Sequence, residues 1–197
     1  MRKLRLILAA VVAVVICLGD VAPAWARLFF DPDTNTWVER NIVPGGHGHY
    51  TPIPRTIVPY ETKYKPGTII VETSERRLYL VLPGGQALRY GIGVGREGFE
   101  WQGQHTITRK AEWPGWTPPV EMRRRVPDLP AYMPGGPDNP LGARALYIGA
   151  TLYRIHGTAE PWTIGQAVSS GCIRLTNDDI IDLYERVKVG SLVVVHQ

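Results

Sequence analysis

The sequence predicts a mostly β domain of sandwich or barrel-like type, with one late helix and a long lid rich in proline and tryptophan. Short runs of β-forming residues, separated by turns, fill most of the chain after residue 67. One helical pattern lies near the end of the chain, and the proline-rich residues 112–142 interrupt the strands. Many short strands with a single helix are typical of β-sandwiches and β-barrels.

Residues 1–26 have the three parts of a secretory signal. Basic residues at positions 2, 3 and 5 precede an apolar run of 13 residues, and Ala24-Trp25-Ala26 is a small-x-small cleavage site. The apolar run is shorter than the roughly 20 residues of a membrane-spanning helix. We therefore predict cleavage after Ala26 and localisation in the periplasm, with no stable membrane span afterwards. A retained membrane anchor is the alternative.

Cleavage changes the charge and the cysteine content of the mature chain. The net charge falls from +4 to +2, because the signal contains three basic residues and one acidic residue. A charge this small gives no support for a nucleic-acid partner. Cys17 is lost with the signal, so Cys172 remains as a lone thiol that cannot form an internal disulfide.

Residues 27–66 are predicted to form a linker, and residues 67–197 a single domain. The linker contains six prolines and a flexible Gly/His stretch, and its few aliphatic residues follow no period. It would hold the domain away from a surface or wrap against it. His47 and His49 have no further metal ligands nearby in the sequence, so we interpret them as loop residues.

The domain contains several predicted strands and one predicted helix. The strands cover residues 68–73, 77–82, 87–94, 105–110, 145–148, 151–156 and 191–196. The second and third strands flank a Pro-Gly-Gly turn, which indicates a β-hairpin. The helix is capped by Thr176, has Asp178 and Asp179 in its first turn, ends near Gly190, and carries an apolar stripe of Ile180, Leu183, Tyr184 and Val187.

The segment at residues 112–142 combines eight prolines with three large aromatic side chains, Trp113, Trp116 and Tyr132. A loop of this length inside a compact domain is usually functional or disordered, and the aromatic residues favour order. We predict a lid or groove wall in which Trp116 and Tyr132 bind substrate. A structural segment that wraps over one sheet is the alternative.

Residues 93–98 match the glycine pattern of dinucleotide-binding loops, but no helix is predicted after them. We interpret them as a tight turn. The sequence has no phosphate-binding loop of the Walker type and no paired-cysteine spacing for zinc. The pattern therefore predicts neither a cofactor nor a bound metal.

His156 lies on a predicted strand sixteen residues before Cys172, which follows Gly171 in a turn that we expect to open a helix. A free thiol is only slightly ionised at neutral pH, and a nearby imidazole can take its proton and later return it to a departing amine. We expect the Gly171 and Cys172 N–H groups to stabilise an oxyanion, and the helix dipole to favour the thiolate. The pattern predicts acyl transfer through a cysteine-bound intermediate. A buried cysteine and a structural histidine are the alternative.

A longer motif surrounds this pair, His156-Gly157-Thr158-x3-Trp162-x2-Gly165-x3-Ser169-Ser170-Gly171-Cys172-Ile173-Arg174-Leu175. It strongly resembles the catalytic signature of the YkuD-type L,D-transpeptidases, the ErfK/YbiS/YcfS/YnhG group. The resemblance covers roughly residues 66–197 and implies a YkuD-like catalytic domain that acts on peptidoglycan stem peptides.

The resemblance also implies residue roles. Cys172 would attack the carbonyl between an L-centre and the terminal D-alanine of a tetrapeptide stem, with His156 as acid and base and the backbone carbonyl of Gly157 orienting the imidazole. Ser170 stands where many members have a histidine, and we predict that it contacts substrate. Arg174 would bind a substrate carboxylate or brace the turn.

Together these observations predict a periplasmic L,D-transpeptidase that cross-links peptidoglycan stems or attaches a protein to peptidoglycan. An outer-membrane protein is one acyl acceptor that we consider. A peptidoglycan hydrolase (amidase) on the same scaffold and a non-catalytic wall-binding module are the alternatives. A papain-like protease is disfavoured, because its cysteine would precede its histidine.

Overall fold

The structure is a computed structural model that describes residues 25–31, 36–42, 53–125 and 127–197. The described strands are β1 (Trp25–Asp31), β2 (Thr36–Ile42), β3 (Thr56–Pro59), β4 (Ile69–Glu72), β5 (Arg77–Leu82), β6 (Gln86–Gly91), β7 (Val94–Gly95), β8 (Gly103–Glu112), β9 (Arg144–Ile148), β10 (Arg154–His156), β11 (Ala167–Ser169), β12 (Ile173–Arg174) and β13 (Leu192–His196). The helices are α1 (Val120–Arg125), α2 (Asn177–Arg186) and a short 3-10 turn at Pro161–Thr163.

Nine of these strands form one curled sheet in the order β12-β10-β9-β8-β13-β4-β5-β6-β3. The sheet makes a half-barrel, and strands β7 and β11 form a separate parallel pair beside it. The predicted mostly β fold class is confirmed. The predicted hairpin is the antiparallel pair β5–β6.

Strand β13 joins the two halves of the sheet. It pairs in parallel with β4 and antiparallel with β8, and Val193, Val194 and Val195 are all buried. A strand covered on both faces needs a continuous apolar run, which explains why its sequence does not alternate.

Helix α2 packs against the sheet through Ile180 and Leu183, which belong to the main core and are fully buried. The hydroxyl oxygen of Thr176 accepts a hydrogen bond from the Asp179 N–H at 3.1 Å, so the N-cap forms as predicted. The helix ends at Arg186, and Gly190 has a positive φ of 90° in the turn before β13.

The predicted linker contains strands. Strand β3 pairs antiparallel with β6 at the edge of the nine-stranded sheet, and β1 pairs with β2 as a separate hairpin. β-Branched residues at positions 56–58 suit an edge strand, and the edge of β6 offers unpaired backbone groups. Arg55 adds ion pairs to Asp179 and Asp182 at 3.2 and 3.6 Å. Residues 53–66 therefore wrap against the domain, whereas residues 1–24 and both linker histidines lie outside the described residues.

The lid contains a second α-helix that the sequence did not predict. Helix α1 follows Pro118 and Pro119, and the Arg123 N–H donates to the carbonyl of Pro119 at 3.0 Å. Proline is well suited to the first turn of a helix because its missing N–H is not needed there. A run of prolines was therefore compatible with a helix that begins directly after it.

The lid is ordered around a small apolar cluster of its own, formed by Trp116, Met122, Leu129 and Leu141. Asn139, only 1% exposed, ties two parts of the lid together. Its side-chain nitrogen donates to the Pro134 carbonyl at 2.9 Å, and its side-chain oxygen accepts from the Leu141 N–H at 2.9 Å. No helix in the described residues is both long and apolar enough to cross a membrane.

Candidate active site

The parallel pairing of β10 with β12 brings the two ends of the sequence motif together. Ile155 lies opposite Ile173, and His156 lies opposite Arg174. Arg154 precedes Ile155 as Cys172 precedes Ile173, and the charge and hydrogen bonding of Arg154 act on the Cys172 thiol, so the two residues are neighbours across the strand pair. Side chains alternate between the two faces of a strand, and the buried Ile155 and Ile173 point into the core. His156 and Cys172 both line a cavity on the other face.

The cavity lies between this strand pair and the lid and has a volume of about 900 Å³. The lid forms one wall of the cavity, and this wall is largely apolar, although it also includes Thr117 and Arg123. Its apolar residues include Trp116, Pro118, Pro119, Val120, Met122 and Leu141. His156, Cys172 and Ser170 line the opposite wall. The cavity is therefore large enough for part of a peptide, with the thiol and imidazole at one side.

His156 is buried, and its Nδ1 lies 2.6 Å from the carbonyl oxygen of Gly157. A carbonyl can only accept, so Nδ1 carries the proton and Nε2 of the neutral ring is an acceptor. The pKa of His156 is lowered to about 4, mainly because the ring is buried. The hydrogen bond to the Gly157 carbonyl opposes this shift, and the positive charge of Arg154 adds to it. At neutral pH the imidazole is uncharged and able to take a proton.

Cys172 is a partly exposed free cysteine. Burial raises the pKa of its thiol, and the charge and hydrogen bonding of Arg154 oppose that effect. The resting pair is consequently a protonated thiol with a neutral imidazole.

The backbone at Gly171 is held by two aromatic residues, Trp101 and Tyr153, that were not among the predicted site residues. Gly171 has a positive φ of 99°, and a Cβ there would lie 2.5 Å from the Tyr153 ring. Trp101 donates from Nε1 to the Gly171 carbonyl at 2.8 Å and stacks on Tyr153 at 4.6 Å. Only glycine fits this turn. Tyr153 adjoins the histidine strand in sequence, but no pattern pointed to Trp101.

The Gly171 N–H donates to the Ser169 hydroxyl at 3.1 Å, and that hydroxyl donates to the Cys172 carbonyl at 2.5 Å. These bonds direct the Gly171 amide into the turn. The Gly171 N–H was predicted to stabilise an oxyanion. In the structure it donates to the Ser169 hydroxyl instead.

The chain after Cys172 enters β12, and helix α2 begins only at Asn177. The prediction that the Ser-Gly-Cys turn opens a helix is therefore wrong. Ile173 pairs with β10, and Arg174 exchanges backbone hydrogen bonds with Gly93 at 2.9 Å in both directions. Strand pairing on both sides prevents a helical conformation here, so no helix dipole acts directly on the thiol.

Arg174 lines the cavity but is only 2% exposed. Its Nη1 lies 3.2 Å from Oε2 of the buried Glu160 and 3.3 Å from the hydroxyl of Thr163. A cation paired in this way holds the segment between β10 and β12 in place. Of the two roles considered for Arg174, the geometry favours bracing the turn.

The glycine-rich residues 93–98 pack against the same turn. A Cβ on Gly95 would lie 2.5 Å from the Phe99 carbonyl and 3.2 Å from the Gly171 Cα. A Cβ on Gly93 would lie 2.9 Å from the Thr163 carbonyl. Strand β8, not a helix, follows this run. These glycines allow close backbone packing around the cysteine turn.

The remaining predicted substrate contacts differ in position. Ser170 and Trp116 line the cavity, whereas Tyr132 is 58% exposed and is not among the lining residues. Trp116 is only 5% exposed and pairs with Met133 through two 2.8 Å backbone hydrogen bonds. Among the described residues, no group of three His, Cys, Asp or Glu side chains could hold a metal ion.

Trp116 is thus a core residue of the lid as well as a wall of the cavity. We expect Trp116→Ala to lower the melting temperature by at least about 5 °C, because truncating a buried aromatic residue costs about 3 kcal/mol or more. Tyr132→Ala, in the same segment but exposed, is the matched control and should shift it by less than about 2 °C. Equal shifts in the two variants would contradict the core position of Trp116. Differential scanning calorimetry makes this measurement.

A family model described as the YkuD L,D-transpeptidase catalytic domain matches residues 66–195. The chain therefore belongs to the YkuD family of L,D-transpeptidase catalytic domains, and the resemblance stated from the motif is confirmed.

Individual relatives agree with this assignment. "Probable L,D-transpeptidase ErfK/SrfK" of Escherichia coli K12 is 43% identical over 74% of this chain and 48% of its own length. The chain spans about half the length of the curated relatives it matches.

Two solved structures are also similar. A Brucella melitensis protein, named "a probable carnitine operon oxidoreductase caia", is 43% identical with a TM-score of 0.50, over 84% of this chain and 100% of that chain. L,D-transpeptidase 3 of Mycobacterium tuberculosis, solved with a faropenem-derived adduct, is 18% identical with a TM-score of 0.52, over 66% of this chain and 60% of that chain. At 18% identity the likeness supports the fold alone.

Proposed function

We propose that this domain is a periplasmic L,D-transpeptidase that forms peptidoglycan cross-links, or attaches a protein to peptidoglycan, through an acyl-enzyme on Cys172. The observation that carries the proposal is the β10–β12 register, which presents His156 and Cys172 to one cavity. Family membership supports the class of reaction.

In the first step, Nε2 of His156 takes the thiol proton while the sulfur of Cys172 attacks the carbonyl before the terminal D-alanine of a donor stem. The Gly157 carbonyl supports this role, because it holds the proton on Nδ1 and leaves Nε2 free to accept. A neutral resting pair also fits, since a histidine with a lowered pKa is unprotonated at the working pH.

The tetrahedral intermediate requires a donor for its oxyanion. We assign this role to the Cys172 N–H, because the Gly171 N–H is occupied by Ser169. The protonated His156 then donates to the departing D-alanine amine, and a thioester remains on Cys172.

In the second step, an amine of the acceptor attacks the thioester carbonyl, and His156 takes up the amine proton. The amide bond forms as the C–S bond breaks, and His156 returns the proton to the departing sulfur of Cys172. The apolar lid wall favours transfer over hydrolysis, because it limits the access of water to the thioester. The acceptor is a second stem peptide or the side chain of a protein, including an outer-membrane protein.

The name of the Brucella melitensis structure suggests an oxidoreductase as a second candidate. The glycine-rich residues 93–98 would then have to hold a dinucleotide, but they pack against Gly171 and lead into β8 instead of a helix. Acyl transfer therefore accounts for these glycines better.

The proposal is tested with the purified mature protein, a defined tetrapeptide stem and an amine acceptor. We expect release of D-alanine, a transient mass increase located on Cys172, and a cross-linked product detected by mass spectrometry. Release of D-alanine with only the shortened stem as product would identify the hydrolase alternative. Neither release nor adduct would contradict both and favour a wall-binding module.

A further inference from the structure

Arg154 lies beside the nucleophile and has no acidic partner among the described residues. Arg154 and Cys172 directly precede the paired residues Ile155 and Ile173, the Arg154 charge acts on the Cys172 thiol, and both residues line the same cavity. Nη1 of Arg154 donates to the Leu152 carbonyl at 3.1 Å, while its buried Nε lacks a hydrogen-bond partner in the described part of the chain. The guanidinium group also lies 5.2 Å from the centre of the Tyr147 ring.

Arg174 provides an internal comparison. Both arginines line the cavity, but the charge of Arg174 is compensated by Glu160 at 3.2 Å. No described residue compensates the half-buried charge of Arg154 in this way. A partly buried cation is costly without an anion, so this position favours a ligand that supplies one.

The other charged side chains that line the cavity in the described part of the chain are also arginines. Arg123, an exposed residue of the lid helix, is a further cation on its wall. The described lining residues include no Asp or Glu. A negatively charged ligand therefore meets attraction and no carboxylate repulsion near the thiol.

We propose that Arg154 forms a carboxylate-binding subsite beside Cys172, which takes the α-carboxylate of the amino acid that leaves during acylation. This assignment deepens the proposed function and rests on it for the identity of the ligand. The planar guanidinium suits a carboxylate, because two N–H groups can donate to its two oxygens. The scissile carbonyl and the terminal carboxylate of a stem are one residue apart. Cys172 and Arg154 are neighbours across the strand pair, so the carbonyl can lie at the thiol while the carboxylate lies at the guanidinium.

The subsite would also select for the end of a peptide chain. A terminal D-amino acid carries a free carboxylate, whereas an internal residue of a peptide does not. Binding of that carboxylate by Arg154 orients the donor so that the last peptide bond lies at the thiol. Arg154 would then determine specificity for a free carboxyl terminus.

The test compares the rates at which two alkylating agents label Cys172. Iodoacetate carries a carboxylate where iodoacetamide carries a neutral amide, and the two are otherwise the same. In both reactions the sulfur of Cys172 forms a bond to the methylene carbon and iodide leaves, so the ratio of the two rates cancels any change in thiol ionisation. We expect the wild-type ratio to exceed that of the neutral thiol N-acetylcysteinamide. Arg154→Gln should lower the ratio about tenfold. Arg154→Lys, which keeps the charge but loses the paired N–H donors, should give a ratio between those of Arg154→Gln and the wild type.

Arg109→Gln is the matched control. Arg109 stacks on the same Tyr147 ring at 3.6 Å but does not line the cavity, so its removal should change the ratio less than about twofold. An unchanged ratio in Arg154→Gln, an equal loss in Arg109→Gln, or a wild-type ratio no higher than that of the free thiol would overturn the subsite.

A second measurement needs only the wild type. N-acetyl-D-alanine should slow the labelling of Cys172 by iodoacetamide more than N-acetyl-D-alaninamide does, and equal protection would overturn the proposal. Neither measurement requires transfer activity. If the labelling results support the subsite but stem peptides are not processed, the proposed function fails and the carboxylate site stands. If stems are processed but the labelling does not respond to Arg154, the subsite alone fails.

Discussion

Cys172→Ala is expected to reduce transfer activity at least about a thousandfold, because the acyl-enzyme cannot form without a nucleophile. The predicted mature chain has no second thiol that could replace it. The substitution removes one atom from a cavity wall, so the melting temperature should stay within about 2 °C of the wild type. D-alanine release from a tetrapeptide stem and calorimetry measure the two quantities.

Cys172→Ser is the matched control, since it keeps the size and a donor group but is a much weaker acid. It should also be inactive and should bind stem peptide as the wild type does. Activity above a few per cent in either variant would show that the reaction does not pass through the Cys172 sulfur.

His156→Gln is expected to remove a large part of the acid sensitivity of folding. The pKa of His156 is about 4 in the folded chain, against an ordinary value near 6.5. Between these values the unfolded chain binds a proton that the folded chain does not, so stability falls as the pH drops from about 6.5 to about 4. The difference amounts to roughly 3 kcal/mol below pH 4.

Urea unfolding between pH 4 and pH 7 provides the measurement. The free energy of unfolding of the wild type should decline over this interval more than that of His156→Gln. Parallel curves for the wild type and His156→Gln would contradict a buried, neutral imidazole.

The same variant should also lose transfer activity and react more slowly with iodoacetamide at neutral pH.

Some structural features could be predicted because neighbouring residues carry the information. The cap formed by Thr176, the apolar stripe of α2 and the turn between β5 and β6 all depend on interactions within a few positions. The motif around His156 and Cys172 was equally readable, since the order and spacing of its residues are characteristic of the family.

Other features required knowledge of strand pairing. Residues 173–174 were expected to lead into a helix, and they form β12 because β10 and Gly93 pair with them from either side. The helix α1 inside the lid was hidden by its prolines, which are unfavourable in helix interiors but acceptable at a first turn. The sequence identified Trp116 as an aromatic residue of the lid. It did not show that Met122, Leu129 and Leu141 pack around Trp116.

The class of fold, the late helix and the candidate pair of His156 and Cys172 could be predicted from the sequence, because period, capping and motif spacing are local properties. The surroundings of that pair could not be predicted, because they come from distant parts of the chain. The parallel register of β10 and β12 joins residues eighteen positions apart and sets Arg154 against Cys172, while Glu160 neutralises Arg174. Such contacts depend on which strands pair and in which register, and that choice is made by burial of the whole core rather than by any single segment.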